Sequence, residues 1–193
     1  MLFSTLNFIL VFLPALLALY FAIPRKHLRL RRYVLLAFSL VFYGWGEPRF
    51  IFVILALIAL TYALSRAIEQ KNKGAFILAV SANLAPLFIC KYFNFSLENL
   101  NSIFSLTIPL LDIKLPIGIS FYTFQMLTYI IDLYRGNVAR QKDPAIVALY
   151  IFLFPQLIAG PIVRYCDVEA QLMESRESWP MAQEGAKRFI KGL

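Results

Sequence analysis

The chain has 193 residues, 60% of them hydrophobic, and its mean hydropathy is +0.69. Soluble domains contain about 45–50% apolar residues; here the apolar residues stand in long blocks, which excludes an ordinary soluble domain and indicates membrane spans. The net charge of +8 comes from short basic clusters between these blocks, a pattern typical of topology-setting loops rather than of nucleic-acid binding.

The first three apolar blocks are separated by a basic loop and a turn. Residues 2–23 carry no charge and are long enough to cross a bilayer. Positive charges follow this block, whereas in a signal peptide they precede it. The cluster at 25–32 is therefore predicted to be cytoplasmic, which places Met1 outside. Residues 33–45 and 50–64 are the next two predicted spans.

The second half of the chain contains spans of a more mixed character. Residues 75–90 are a predicted span, and the polar and apolar mixture at 91–104 predicts a helix lying in the membrane interface. Residues 115–134 are predicted to return to the basic side, 145–162 to form a broken span, and 166–193 to form an amphipathic tail. The expected fold is an all-α polytopic membrane protein with five to six transmembrane helices and interfacial amphipathic helices.

The predicted span 115–134 carries a polar stripe. If Pro116 occupies the first turn of this helix, four polar side chains fall within an arc of about 80°: Tyr122, Gln125, Tyr129 and Asp132. Lipid cannot satisfy such groups, so the stripe is expected to face protein or a cavity. Two interpretations remain open: Gln125 bonds a neighbouring helix and Asp132 pairs with Arg135, or the stripe lines a substrate path.

The stretch FPQLIAGPIVRY, residues 154–165, is expected to interrupt its helix. Pro155, Gly160 and Pro161 surround Gln156 and would release backbone groups from the helical ladder. Such backbone is tolerated at membrane depth only inside protein or along a cavity; the alternative is a simple helix end at Gly160. Arg164, just beyond, either binds an anionic group such as a phosphate or extends to the membrane surface.

The sequence contains no complete catalytic or metal-binding motif. His27 is the only histidine; it lies in a basic loop without a carboxylate neighbour, so we do not expect it to act as a general base. Cys90 and Cys166 are expected to be free thiols. We therefore expect no catalytic residue, no metal and no bound cofactor in this chain.

Four runs carry a resemblance to a known family: YVLLAFSLVFYGWGEPRF, KYFNF, LPIGISFYTFQMLTYIIDLYRG and FLFPQLIAGPIVRY. In this order they resemble the membrane-bound O-acyltransferases, in particular the bacterial branch that acts in alginate O-acetylation and in D-alanyl transfer to teichoic acid. The resemblance covers essentially the whole chain, and the pair LPIGISFYTFQ and PQLIAGPIVRY is its most specific part. It corresponds to roughly the amino-terminal two fifths of a family member.

The resemblance implies a ring of helices around a tunnel in a bacterial inner membrane. It implies acyl transfer from a cytoplasmic donor, acetyl-CoA or another acyl carrier, to hydroxyls of an exported polysaccharide such as alginate, alongside polysaccharide export partners. The histidine of the family lies beyond the matched region, so this chain is expected to be inactive alone. The residues expected to line the tunnel or orient substrate are Tyr122, Gln125, Tyr129, Gln156 and Arg164.

Two functions outside acyl transfer also remain open at this point. A transporter or channel subunit would use the polar stripe as a substrate path, although transporters commonly contain repeated halves and this chain shows no such repeat. A non-catalytic assembly subunit of a polysaccharide export complex is the other alternative.

Overall fold

The computed structural model describes residues 5–111, 114–157, 162–174 and 177–192. Over these residues the chain is helical, with no strand. Two π-helical turns, Phe8–Phe12 and Phe88–Tyr92, and one 3-10 turn, Arg25–His27, interrupt the α-helices. The α-helices are α1 (Leu13–Ala22), α2 (Leu28–Gly46), α3 (Phe50–Glu69), α4 (Lys73–Leu87), α5 (Phe93–Phe104), α6 (Ile119–Arg135), α7 (Pro144–Phe152), α8 (Phe154–Leu157), α9 (Tyr165–Met173) and α10 (Trp179–Gly192).

Local sequence signals determine several helix ends. The side chain of Asn72 accepts a hydrogen bond from the Ala75 amide at 3.1 Å and caps α4. Asp143 caps α7 in the same way, and Pro144 follows it in the first turn, where its missing N–H costs nothing. Gly136, at φ +85°, ends α6 in the left-handed conformation that glycine adopts most readily.

Helix α6 begins later than the sequence pattern predicts. Pro116 does not lie in its first turn, because Gly118 adopts φ +80° and the helix starts only at Ile119. A left-handed residue cannot continue a right-handed helix, so Gly118 separates Pro116 from α6. A Cβ atom at Gly118 would also lie 2.7 Å from the Leu157 carbonyl oxygen. The glycine therefore permits both the turn and the close approach of α8.

Helices α4 and α5 are continuous, whereas the sequence pattern predicts a break at residue 91. With the π-helical turn between them they form one helix of 32 residues, Lys73–Phe104. No glycine or proline interrupts the chain near 91, and Pro86 is followed by the π-helical turn, a common way of accommodating such an irregularity. Ser96 and Asn99 of α5 bond carbonyls of their own helix at 2.9 Å, whereas Asn94 and Asn101 bond the segment that follows it.

The described residues contain two helices that are long and apolar enough to cross a membrane, Phe50–Glu69 and Lys73–Phe104. A third candidate is the pair Phe8–Ala22 and Arg25–Gly46, which is bent by 106° at the basic loop. Helices α6 and α7 are shorter, at 17 and 9 residues. The protein is an all-α membrane protein, and the total of five to six spans stays a prediction.

Helices α6 and α7 occupy the centre of the structure. Helix α6 packs against α3, α4, α7 and α9, and α7 packs against α2 and α3 as well. Every residue from Ile146 to Phe152 is buried, so the first half of the block predicted as a broken span lies inside protein. A second core consists of four phenylalanine rings with centroids 5.5–6.0 Å apart where they touch: Phe8, Phe12, Phe42 and Phe154.

The chain leaves the helical conformation between α7 and α8. Leu153 has ψ 106°, and its neighbour Phe154 donates its backbone N–H to Ser39 Oγ at 3.4 Å. Pro155 lies in the first turn of α8 and so follows the break rather than forming it. The other two predicted helix breakers, Gly160 and Pro161, lie outside the described residues.

An ion pair joins the amphipathic tail to the first basic loop. Arg31, only 4% exposed, donates from Nη1 to Glu177 Oε2 at 2.7 Å and from Nε and Nη2 to the Ile23 carbonyl. Tyr20 donates its hydroxyl to Glu177 Oε1 at 2.7 Å, and its ring lies 5.0 Å from the guanidinium. These contacts connect the segment before α10 to the ends of α1 and α2.

We expect Gly118→Ala to destabilise the protein by about 1–3 kcal/mol, because it forces a Cβ into a left-handed residue and against a carbonyl oxygen. Gly185→Ala is the matched control, since a Cβ there meets open space on helix α10 and alanine favours the helix. Thermal unfolding in detergent measures both. Equal melting temperatures for G118A and the unaltered chain would contradict the constraint.

Candidate functional site

Helix α6 turns its polar stripe inward. Tyr122, Gln125 and Tyr129 are each 1% exposed and Asp132 is 2% exposed, whereas Phe124 on another face is 43% exposed. This agrees with the expectation that lipid-inaccessible groups face protein. The neighbours that cover the stripe are α3, α4, α7 and α9.

Three side chains in the first half of α6 have buried polar atoms without a hydrogen-bond partner: Tyr122 Oη, Thr123 Oγ1 and Gln125 Oε1. Tyr122 and Gln125 lie on the same side of the helix, and we call these two residues the polar face; Thr123 lies about 160° around the helix from Gln125. An unsatisfied buried donor or acceptor costs about 1–3 kcal/mol, and such groups in native proteins call for an explanation such as a bound molecule. The polar face is thus the strongest candidate for a ligand-facing surface among the described residues.

Helix α8 contributes a further unpaired atom near the start of α6. Gln156 Oε1 is buried without a partner, and the next residue, Leu157, presents its carbonyl to Gly118. Tyr43 of α2 donates its hydroxyl to the Ile117 carbonyl at 3.3 Å in the same region. The irregular backbone at 116–118 and the break at Leu153 therefore bring the amide of Gln156 to the end of α6 that carries the polar face.

The chemistry available at the polar face is hydrogen bonding rather than proton abstraction. Hydroxyl and amide groups can donate to an acyl carbonyl oxygen or orient an acceptor hydroxyl. Thr123 was missed in the sequence because it falls outside the arc of the stripe. The available signal was a threonine, directly after Tyr122, within a predicted membrane span.

Tyr129 has partners within the protein. Its Oη accepts a hydrogen bond from the backbone N–H of Gln141 at 3.3 Å. Its ring packs edge-on against the ring of Tyr165, with 5.0 Å between the two centroids. Gln141 Nε2 donates to Tyr165 Oη at 3.0 Å. Burial raises the pKa of Tyr165 to about 12, so this phenol is neutral at physiological pH. These contacts give Tyr129 a structural role, and its place in a substrate path stays a prediction.

Asp132 pairs with Arg164, and the predicted pairing with Arg135 is wrong. Arg164 binds the carboxylate through two nitrogens, Nη2 to Oδ1 at 2.6 Å and Nε to Oδ2 at 3.3 Å. Asn137 Nδ2 donates to Oδ1 at 3.0 Å. Arg135 is exposed, whereas Asp132 points into the protein with the rest of the stripe. The two side chains therefore lie on different sides of α6. A fork-to-fork pair of this kind favours arginine at position 164.

Arg164 thus has a partner inside the protein, and its predicted binding of an anionic substrate group stays a prediction. Its side chain is 49% exposed while that of Asp132 is 3% exposed. Nη1 is not engaged in the pair with the carboxylate. The pair ties the segment before α9 to α6 and leaves one face of the guanidinium toward solvent.

The remaining titratable residues do not assemble into a catalytic or metal centre in the described part of the chain. His27 is exposed in the basic loop. Cys90 and Cys166 are free thiols. Among residues 5–111, 114–157, 162–174 and 177–192, no group of three or more histidine, cysteine, aspartate or glutamate side chains could hold a metal ion.

We expect Arg164→Gln to lower the melting temperature more than Asp132→Asn. The first change leaves a buried carboxylate without its cation, whereas the second leaves a half-exposed guanidinium that water can solvate. Arg135→Gln is the control, with no expected change because that side chain is exposed. Thermal unfolding in detergent orders the three variants. A larger loss for R135Q than for R164Q would contradict the assignment of the pair.

Comparisons with known proteins identify relatives along the whole chain. It is 34% identical over 203 residues to the probable alginate O-acetylase AlgI of Azotobacter vinelandii, covering 100% of this chain and 40% of that protein. It is 34% identical to the protein of the same name from Pseudomonas aeruginosa, covering 100% of this chain and 38% of the relative. The peptidoglycan O-acetyltransferase of Helicobacter pylori is 29% identical over 211 residues, covering 93% of this chain and 40% of that protein.

No protein-family model and no solved structure matches the chain. The chain spans about two fifths of the length of the curated relatives it matches. The similarity runs through α6 and α8, which carry four of the five buried unpaired side-chain atoms among the described residues, and it accompanies an all-helical, apolar fold. The relatives along the whole chain are thus named as O-acetylases or O-acetyltransferases, which is consistent with a part of a membrane-bound O-acyltransferase.

Proposed function

We propose that this chain forms part of a membrane O-acyltransferase that transfers acetyl groups to hydroxyls of an exported polysaccharide. The single observation that carries the proposal is similarity over 100% of the chain to alginate O-acetylases at 34% identity. Alginate is the acceptor that these relatives suggest, and peptidoglycan is the acceptor suggested by the Helicobacter pylori protein. We propose alginate because the relatives with the higher identity bear that name.

The proposed reaction requires buried hydrogen-bonding groups, and the polar face contains such groups. In acyl transfer from a thioester donor, an acceptor hydroxyl oxygen attacks the acyl carbonyl, the carbon–sulfur bond breaks, and the hydroxyl proton passes through a base to the leaving thiolate. Negative charge develops on the carbonyl oxygen, where preorganised donors lower the barrier. The hydroxyl of Tyr122 is a buried donor of this kind, and the unpaired Gln125 Oε1 can accept a hydrogen bond from the acceptor hydroxyl. We propose that these two groups face the reacting acyl group and the acceptor.

The base is proposed to lie outside these 193 residues. His27 is the only histidine and lies exposed in the loop before α2, far along the chain from the polar face. A general base must reach the proton that it abstracts. We therefore propose that the chain on its own does not transfer acetyl groups, and that it supplies part of the wall of the acyl path.

The membrane setting follows from the charge distribution. We propose a bacterial inner-membrane location with the basic clusters at 25–32, 66–73 and 135–142 cytoplasmic and the amino terminus outside, in keeping with the positive-inside rule. The acyl donor, acetyl-CoA or another acyl carrier, then approaches from the cytoplasmic side as a substrate. Acetyl groups would pass to the export machinery of the polysaccharide on the other side.

We expect a chimera to retain alginate acetylation when this chain replaces the matching segment of the Pseudomonas aeruginosa relative. Within that chimera, Gln125→Leu should reduce acetylation at least about tenfold, because it removes from the polar face a buried amide that would orient the acceptor hydroxyl. Phe124→Leu on the exposed side of α6 is the matched control and should leave the rate unchanged. Ester content of alginate in a strain that lacks its own enzyme measures both.

The purified 193-residue chain is assayed beside the chimera with labelled acetyl-CoA and alginate. We expect no transfer above background, since the base is proposed to lie outside this chain. Transfer by the isolated chain would refute its proposed inactivity, and equal rates for Q125L and F124L would refute the role of the polar face.

A further inference from the structure

Four basic side chains surround one cavity at the end of the molecule opposite the polar face of α6. The cavity has a volume of about 590 Å³, within the range of roughly 300–1,000 Å³ that is usual for small-molecule sites. Its basic lining residues come from the first turns of α2 and from the loop that precedes α7: Arg29, Arg32, Arg140 and Lys142. Segments more than 100 residues apart in the sequence thus contribute to one concave surface.

Two of the four cations are held in place by protein contacts. Arg140 donates from Nε to Ser65 Oγ at 2.7 Å, its amide donates to Glu69 Oε1 at 2.9 Å, and its guanidinium lies 5.0 Å from the Tyr62 ring. Arg32 donates from Nη2 to the Met173 carbonyl at 2.6 Å. In both residues other guanidinium nitrogens take no part in these bonds. A fixed guanidinium loses little entropy when it binds an oxyanion.

The acidic residues of the lining do not neutralise this charge. Asp143 and Glu169 are the two carboxylates at the cavity, against four cations. Asp143 Oδ1 already accepts the Ala145 amide that caps α7. Arg29 and Lys142 are exposed, and no described side chain pairs with either. The topology of the membrane requires basic loops on one side, but it does not require cations from two loops to converge on a cavity.

We propose that this cavity binds a phosphate-bearing ligand. Arginine donors in a fixed arrangement match the oxygens of a phosphate group, and lysine adds a point charge. The flanking residues Tyr33, Ile146 and Met173 give the cavity an apolar wall, which suits a ligand with an organic part attached to its phosphate. The site is separate from the polar face, which holds no cation.

Two sources of phosphate have this chemistry at a membrane surface. One is the headgroup of an anionic phospholipid in the leaflet on the basic side. The other is the phosphate of a soluble acyl donor, and this source rests on the proposed function. Both place the phosphate at the same guanidinium groups, so the site is tested with probes that separate the two sources.

The experiment uses the purified chain in nanodiscs of neutral phosphatidylcholine. Equilibrium dialysis with labelled inorganic pyrophosphate measures the soluble source, and native mass spectrometry after mixing with phosphatidylglycerol nanodiscs measures the lipid source. The variant is Arg29→Gln with Lys142→Gln, since neither side chain has a structural contact that its loss would break. The control is Arg135→Gln with Lys187→Gln, which removes the same charge from exposed positions outside the cavity.

We expect the cavity variant to weaken binding of at least one probe about tenfold or more, while the control stays within about twofold. Loss confined to pyrophosphate identifies a soluble ligand, and loss confined to phosphatidylglycerol identifies a lipid headgroup. Equal binding by the two double variants in both assays overturns the proposal, because general attraction would then account for it. Neither assay measures acetyl transfer, so this result is independent of the outcome of the chimera.

Discussion

Hydrocarbon cannot solvate an unpaired amide or hydroxyl, and the arrangement of this protein depends on that constraint. Helix α6 therefore presents Tyr122, Gln125 and Tyr129 to other helices and leaves Phe124 outside. The burial has a cost, because Gln125 Oε1 and Tyr122 Oη find no partner in the protein. In the proposed function, the reacting molecule supplies the missing partner of these atoms.

Charge pairs between distant segments hold the ends of the helices around this core. Asp132 joins α6 to Arg164 ahead of α9, and Arg31 joins the end of α1 to Glu177 ahead of α10. Each pair has one deeply buried member and several hydrogen bonds, a geometry in which removing a single partner is costly. Two cations of the basic cavity, Arg29 and Arg32, lie on helix α2 beside Arg31. The structural ion pair and the proposed phosphate site therefore use neighbouring residues.

Much of this could be predicted from residue patterns, and the misses have identifiable causes. The spacing of Tyr122, Gln125, Tyr129 and Asp132 correctly indicated a buried face of α6. The partner of Asp132 was missed because Arg135 is near in sequence, whereas Arg164 is near only in space. The burial of Arg31 had a usable signal, since Arg31, Ser39 and Phe42 share one face of α2 and are all buried. The place of Arg31 in the basic cluster at 25–32 predicted a loop residue instead.

The sequence by itself determined the membrane class, the helical content and the inward stripe, because hydrophobic blocks and 3.6-residue periodicity are properties of local chain segments. It also carried the family resemblance. Only the tertiary structure decided that α6 begins after Gly118 and that Arg164 pairs with Asp132. These outcomes depend on which segments meet across long separations, as in the 2.7 Å approach at Gly118, and no local pattern encodes such a meeting.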